Sequence, residues 1–388
     1  MRVPAPLLSL VLLSPAIAHG QVFVHPGILL DLPALERTRD ALRAGDPLKT
    51  SAMAVMRRSP LASPSYVATP FAKVECGSFH TPSIGCKAER DDAKAAYTHA
   101  LLWAYLGDDT HARKAVEIMN AWATTLTSGH ANSNGPLQAS WAAQLWTRAA
   151  EIIRHTSAAW PAADARRFDN WLLAQYLPDI DRMGACPGGN WHASGIEARM
   201  NMGIYTDRRD LYDRAVNDWN TRLPTYVYMP ADGAAPRPRP GCTTPTEMLW
   251  FGQTIMAAGL AEETCRDLEH TAYGLAAYLN AAETNRLQGG RLYAQQGQRL
   301  TAAMEFHTDM LSRPAVPAWL CKGTLVSDVR GTLEIGHSHF AGRMGQALPH
   351  TAAWLATHRP SQGDFHFLWE TLTHGTALSG AAPPTAQW

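Results

Sequence analysis

The chain has 388 residues, 46% of them hydrophobic and 18% charged, which supplies a sizeable core and excludes bulk disorder. Its 34 Lys and Arg balance 34 Asp and Glu. That neutrality argues against a nucleic-acid binder working through a broad basic face, while leaving room for a local basic cleft.

In chain order, Arg2 precedes an apolar run from Leu7 to Ala18 that ends in Ala16-Ile17-Ala18. A basic start, a short apolar stretch and a small-x-small site read as a signal peptide over residues 1–20. Residues 21–388 then form a single domain, secreted or periplasmic, with no membrane span. Six cysteines suit an oxidising compartment: Cys76, Cys86, Cys186, Cys242, Cys265 and Cys321. Sequence leaves their pairing open, with a local Cys76–Cys86 bridge across a Gly/Ser/Pro-rich loop as the first expectation.

From Asp92 onward apolar residues recur at helical spacing, beginning with Ala93, Ala96, Tyr97, Ala100, Leu101 and Ala104. The same period predicts helices over Asp92–Leu106, Ala139–Ile153, Ala165–Tyr176, Ala193–Tyr205, Leu211–Trp219, Met248–Ala261, Thr271–Glu283, Arg291–Leu311 and Phe340–Ala356. Strand signals are confined to Thr225–Met229 and Gly323–Val326. Short links between many helices, without a fixed repeat, predict an all-α fold, an α/α toroid or incomplete barrel with a central cleft. Two irregular segments, Pro60–Arg90 and Pro230–Pro245, interrupt the rhythm and are candidate binding loops. Arg237 and Arg239 on the second are candidates to guide an anionic ligand.

The signatures of serine hydrolases, zincins and P-loop enzymes are absent. Polar clusters at helix edges stand out instead. Gly188-Gly189-Asn190-Trp191-His192 opens a helix, with Asn190 as a candidate cap. Further on, Arg266, His270 and Tyr273 fall at i, i+4 and i+7, one face of a helix if the segment is helical. Together they supply a charge neutraliser, a base and a proton donor.

These stretches resemble the alginate-lyase superfamily of polysaccharide lyases, secreted helical toroids that cut uronic-acid polymers. The resemblance runs through Val74-Glu75-Cys76-Gly77 with Glu89-Arg90-Asp91-Asp92, and Asn134 to Trp141 with Arg148-Ala149-Ala150-Glu151. It continues through Gly189-Asn190-Trp191-His192, Glu263-Thr264-Cys265-Arg266-Asp267 with His270-Thr271, and Glu305-Phe306-His307. It is nearest to the group containing endo-β-1,4-glucuronan lyases and alginate lyases, polysaccharide lyase family 38. Gly-Gly-Asn-Trp-His stands where the best-known alginate lyases carry Asn-Asn-His-Ser-Tyr-Trp, so glucuronan is the favoured substrate and alginate or polymannuronate the second.

The chemistry implied is β-elimination. Removing the C5 proton builds charge beside a carboxylate, which must first be neutralised. Arg266 and Asn190, with His192 or His270, are the candidates. Tyr273 is the expected base and acid, with His270 or His192 as alternative bases and Tyr226, Tyr228 and Tyr293 as rival tyrosines. Expected substrate contacts are Asn134, Gln138, Trp141, Trp191, Arg237, Arg239, Trp250, Gln253 and His307. A patch of Glu334, His337, His339 and Arg343 is expected to line the cleft too. The mechanism calls for no cofactor or metal, and the expected partner is an acidic polysaccharide. A glycoside hydrolase, drawing on Glu75, Asp91, Glu197 or Glu263, and a non-catalytic carbohydrate-binding envelope protein are the competing readings.

Overall fold

The computed structural model describes residues 22–77, 82–361, 363 and 365–378. The expected signal peptide lies outside them. Among the described residues no helix is long and apolar enough to cross a membrane.

The chain enters through a small hairpin, β1 (Gly27–Ile28) with β2 (Leu30–Asp31). Asp31 and Asp46 then cap α1 (Leu32–Arg43) and α2 (Pro47–Arg58), accepting from the N–H groups of Ala34 and Lys49 at 2.8 Å, with proline in each first turn. β3 (Val74–Cys76), β4 (Ser83–Ile84) and β5 (His130–Ala131) form a second small sheet in the order β4-β3-β5.

The body is helical. α3 (Cys86–Leu106), α4 (Asp109–Thr125), α5 (Gly135–Thr156), α6 (Ala162–Gln175), α7 (Leu177–Asp181), α8 (Gly189–Tyr205) and α9 (Arg209–Tyr226) follow in turn. After the short α10 (Thr246–Leu249) come α11 (Leu268–Leu287), α12 (Leu292–Ser312), α13 (Glu334–His337), α14 (Pro349–His358) and α15 (Glu370–His374). α3, α5, α8 and α11 stand side by side as an inner layer, buried on nearly every face. They run in the same direction: Arg90 at the start of α3 bonds Gln138 at the start of α5, and Trp103 near the end of α3 bonds Thr156 at the end of α5. Gln144 reaches Ser194, and Asn280 reaches Glu197, at matching levels of the next helices. Outer helices return the chain, as an α/α toroid requires.

Four inner N-termini therefore gather at one mouth of the toroid, where their dipoles favour an anion. Disulfides fasten three of them: Cys76–Cys86 at α3, Cys186–Cys242 before α8 and Cys265–Cys321 before α11. The local bridge expected from sequence is among them. The opposite mouth is closed by the N-terminal segment, where His25 Nδ1 meets Glu151 Oε1 at 2.6 Å and Leu29 N–H donates to Thr284.

Four expected elements differ, one of them Gly323–Val326, where a 3-10 turn over Cys321–Gly323 is followed by irregular chain and no strand. Met248–Ala261 is helical only to Leu249, because Gly252 (φ 78°) and Gly259 (φ 88°) turn the chain through the left-handed region. A Cβ on Gly259 would lie 2.1 Å from the Ala302 carbonyl oxygen, so the backbones touch there. Thr225–Met229 is not a strand; Thr225 and Tyr226 end α9, and Val227 forms one bridge to Ala261. Phe340–Ala356 breaks after a single wide turn, Ser338–Arg343, before α14 begins.

Beneath the mouth, His130 is fully buried between Glu89 Oε1 (2.8 Å) and Asp179 Oδ2 (3.0 Å). Burial opposes its charge, but the two carboxylates outweigh it and push the imidazolium up to about 9. A raised histidine stabilises fully below its unfolded value of about 6.5 and loses that contribution as pH rises through its folded value. Unfolding free energy is therefore expected to fall between about pH 6.5 and 9.5, by on the order of 3 kcal/mol. Denaturant titrations of wild type and His130→Gln across that window check it; an equally steep decline in the variant contradicts the assignment.

Candidate active site

The segment before α11 builds the mouth. Asp267 caps the helix in an extended conformation (φ −172°, ψ 157°), accepting from His270 N–H at 2.8 Å. Arg266 thus lies just outside the helix rather than on the helical face expected from its spacing. The Asp267 carboxylate also meets His270 Nδ1 at 2.7 Å. Burial pushes its carboxyl up, but the hydrogen bonds from His270 prevail and hold it below the ordinary carboxylate range. Tyr273 sits in the second turn, about 9 Å along the axis from the cap.

Glu263, fully buried, is the hub. It accepts from Asn190 Nδ2 at 2.7 Å, from Asn190 N–H at 2.9 Å and from Arg266 Nη1 at 3.0 Å. Asn190 is therefore not a helix cap, and its amide does not face outward: it is buried inside the first turn of α8 and serves Glu263. The two glycines before it are explained by space. A Cβ on Gly189 would lie 2.0 Å from the Tyr226 ring, and one on Gly188 would lie 2.7 Å from Glu263 Oε1. Arg266 keeps 36% of its side chain exposed, so its guanidinium is oriented from below and open above.

The Tyr273 hydroxyl donates to Glu269 Oε1 at 2.8 Å, and Arg330 Nη2 holds the same oxygen at 2.8 Å. Its ring meets Trp141 (centroids 5.5 Å), Phe365 (4.9 Å), Phe367 (5.8 Å) and His270 (5.6 Å). The rival tyrosines are committed elsewhere. Tyr226, Tyr228 and Tyr293 donate to the backbone carbonyls of Thr271, Gly233 and Leu279.

Arg90, which the sequence places in a resembling stretch without a role of its own, adds a second cation at the mouth. Its guanidinium lies 5.1 Å from the Phe365 ring centroid, and Nη1 donates to Gln138 Oε1 at 2.7 Å. Gln138 is buried and also bonds Glu89 and the Cys86 carbonyl, so it positions Arg90. Asn134 reaches the Gly77 carbonyl at the rim, and Trp141 and Trp191 are half-buried.

Other expected site residues lie apart. His192 points to the far side of α8, where Nε2 meets the Gly184 carbonyl and burial beside Arg222 and Arg239 pushes it down to about 3. Positions i and i+2 on a helix cannot share a face, so it is separated from Asn190. Arg239 is buried, donating to the Cys186 and Pro187 carbonyls and pairing with Glu262; it bolts the Pro-rich loop down instead of guiding a ligand. Arg237 pairs with Asp232 on that loop. Trp250 packs with Tyr228, Leu260, Met310 and Leu320 in a satellite core. Gln253 bonds the backbone of Ile255, Trp319 and Cys321. His307 is fully buried between Thr264 and the Ala303 carbonyl. Glu334 is buried against Arg359 and Thr371; His337 is buried beside it, His339 stacks on Tyr293 at 3.7 Å, and Arg343 pairs with Glu283. That patch does not adjoin Tyr273. The carboxylates a hydrolase would need are also taken: Glu197 is buried on Arg148, Glu75 pairs with Lys73, and Asp91 with Lys87 and Lys94.

Comparison with known proteins bears on the fold and the family. No curated protein matches the chain. Among solved structures, alginate lyase A1-III from Sphingomonas species A1 is similar at a TM-score of 0.60 and 16% identity, covering 83% of this chain and 91% of that one. A variant of alginate lyase A1-III complexed with a tetrasaccharide matches at 0.59 and 16%, covering 83% and 90%. An alginate lyase from Bacteroides ovatus matches at 0.56 and 15%, covering 90% and 99%. The model of the alginate lyase family matches residues 86–316, from the first residue of α3 to just beyond α12 and well over half of the sequence. With the four inner helices and every residue from Arg90 to Tyr273 inside that match, the chain belongs to the alginate lyase family and is a polysaccharide lyase.

Proposed function

We propose that the enzyme cleaves a β-1,4-linked polyuronate, glucuronan in preference to polymannuronate, by β-elimination at the Arg266–Tyr273 mouth. It acts on polymer outside the cytoplasm, in keeping with its three disulfides. The observation that carries the reading is a guanidinium about a third exposed, Arg266, set just before the helix that carries Tyr273, the tyrosine whose hydroxyl meets a part-exposed carboxylate.

Arg266 neutralises the sugar carboxylate, so that charge arriving at C5 is delocalised onto an oxygen already paired. With its phenolic proton first passed to Glu269, the Tyr273 oxygen takes the C5 proton and then delivers it to O4. The electron pair left on C5 forms the C4–C5 double bond, the C4–O4 bond breaks, and O4 receives the proton. In β-linked glucuronate and mannuronate H5 and O4 lie on one side of the ring, so a single residue serves both transfers. Glu269, itself held by Arg330, accepts the phenolic hydrogen of the resting tyrosine. His270 stands 5.6 Å from the ring as the alternative base. Trp141 and Phe365 offer apolar faces to the sugar. Asn190 acts through Glu263 rather than on substrate.

Incubation with glucuronan is expected to generate the ultraviolet absorbance of a 4,5-unsaturated uronate, faster than polymannuronate or polyguluronate does. Reducing ends appearing without that absorbance would indicate hydrolysis and refute elimination. Equal or higher rates on polymannuronate would overturn the substrate preference alone.

A further inference from the structure

Two cavities meet at the opposite end of α11, about 20 Å along the helix from Tyr273. One, about 570 Å³, is lined by Asp31, Arg37, Lys49, Glu283, Arg286 and Arg343 among others. The other, about 700 Å³, shares Arg286 and continues over Arg291, Gln295, Gln296, Gln298 and Arg299. Arg286 is thus a saddle between them.

The charges here are arranged, not scattered. Glu283 is buried beneath the first cavity and holds Arg286 Nη2 at 2.8 Å and Arg343 Nη2 at 3.0 Å, each guanidinium about a third exposed. The two arginines hold the Glu283 carboxyl down at about 2 despite its burial. One carboxylate therefore aims two cations and neutralises only one. Asp31, the other acid, caps α1 and still attracts Arg286, so the first cavity sets four cations against two carboxylates. Lys49 donates to the Thr371 and Leu372 carbonyls, and burial pushes its ammonium down to about 8. Among the described residues no carboxylate lies within ion-pair distance of Arg37, Lys49 or Arg291. In the second cavity the first turns of α12 supply helix N-terminal amides, a further attraction for anions. Three glutamines there offer amide donors and acceptors suited to hydroxyl groups.

We propose that these joined cavities form an accessory groove that binds an acidic oligosaccharide, with carboxylates on Arg37, Lys49, Arg286 and Arg343 and hydroxyls on the glutamines. Phosphate would use the cations but leave the amides idle. A sugar acid uses both. The groove lies at the far end of a buried helix, so its ligand is separate from the one being cut. It would hold the enzyme on its polymer between cleavages. The inference rests on the acidic-sugar reading of the catalytic mouth.

The test uses the full chain carrying Tyr273→Phe, so that ligand is not consumed, titrated calorimetrically with a saturated glucuronate hexasaccharide. Two molecules per chain are expected. Arg37→Gln with Arg291→Gln, both exposed and outside the Glu283 cluster, should weaken one of them at least tenfold and leave the other. In the Tyr273 enzyme the same pair should leave the initial rate on a short soluble oligouronate within about twofold. One molecule per chain, unaffected by the pair, overturns the groove while sparing the catalytic reading. None at all overturns both. Inorganic phosphate bound at the arginines while hexasaccharide is ignored shows a small-anion site and also overturns the proposal.

Discussion

Tyr273→Phe is expected to lower turnover on glucuronan by at least about a thousandfold while leaving the fold intact. The size follows from the two transfers the oxygen performs. General acid–base catalysis by one positioned group contributes about 10²–10⁴-fold, and here base and acid are lost together. The fold should survive because the ring, not the hydroxyl, makes the packing contacts: Tyr273 is 4% exposed and sits among Trp141, Phe365 and Phe367. The lost hydrogen bond goes to Glu269, which retains Arg330 and some solvent. A bond to a charged but part-exposed carboxylate contributes about 1.5 kcal/mol. Circular dichroism and denaturant titration should therefore nearly overlay the wild type while the ultraviolet assay falls to background. Substantial activity in a folded Tyr273→Phe protein would move the proton transfers to His270, the only other titratable side chain of α11 in ring contact with Tyr273. His270→Ala would then separate the two.

Much of this architecture could be read from sequence because the inner helices are locally written. A helix buried all round, such as α5 or α8, needs apolar or small residues at nearly every position, and its period survives without tertiary information. Arg266, His270 and Tyr273 stand out as candidates for a related reason, their closeness in one chain segment, although Arg266 lies outside the helix rather than on its face. Partnerships across the toroid do not. Arg90 meets Phe365, and Asn190 meets Glu263, through contacts separated by dozens to hundreds of residues. Nothing in the local sequence of Phe365 marks it as a wall of the mouth. Conversely, His192, Arg239, Trp250 and His307 carry the residue types that carbohydrate sites favour, yet the contacts of each hold structure together. Polar side chains inside a helical toroid must satisfy one another, so they share the composition of a binding site without its exposure. The Glu334–Arg343 patch shows the same ambiguity resolved another way, since Arg343 lines a cleft at the other end of α11.

Glu263 carries the second large expectation, because it joins stability to catalysis. In Glu263→Ala, Arg266 turns to water at little cost, being a third exposed. The Asn190 side-chain amide and backbone N–H cannot, since Asn190 is buried. Two stranded buried donors cost about 1–3 kcal/mol each, so unfolding free energy should fall by about 3 kcal/mol. Glu263→Gln separates the roles. Its amide oxygen still accepts from Asn190, so stability should stay within about 1 kcal/mol of wild type. It no longer attracts the Arg266 guanidinium, which then samples positions displaced from the sugar carboxylate. Misplacing a positioning group by about 1 Å can cost on the order of a hundredfold. Turnover should drop on that scale, with a weaker effect on KM, because the second charge appears only in the transition state. A Glu263→Gln enzyme that is both stable and fully active would show that Arg266 needs no support from below. The mouth would then owe its geometry to the Cys265–Cys321 clasp and the Asp267 cap alone.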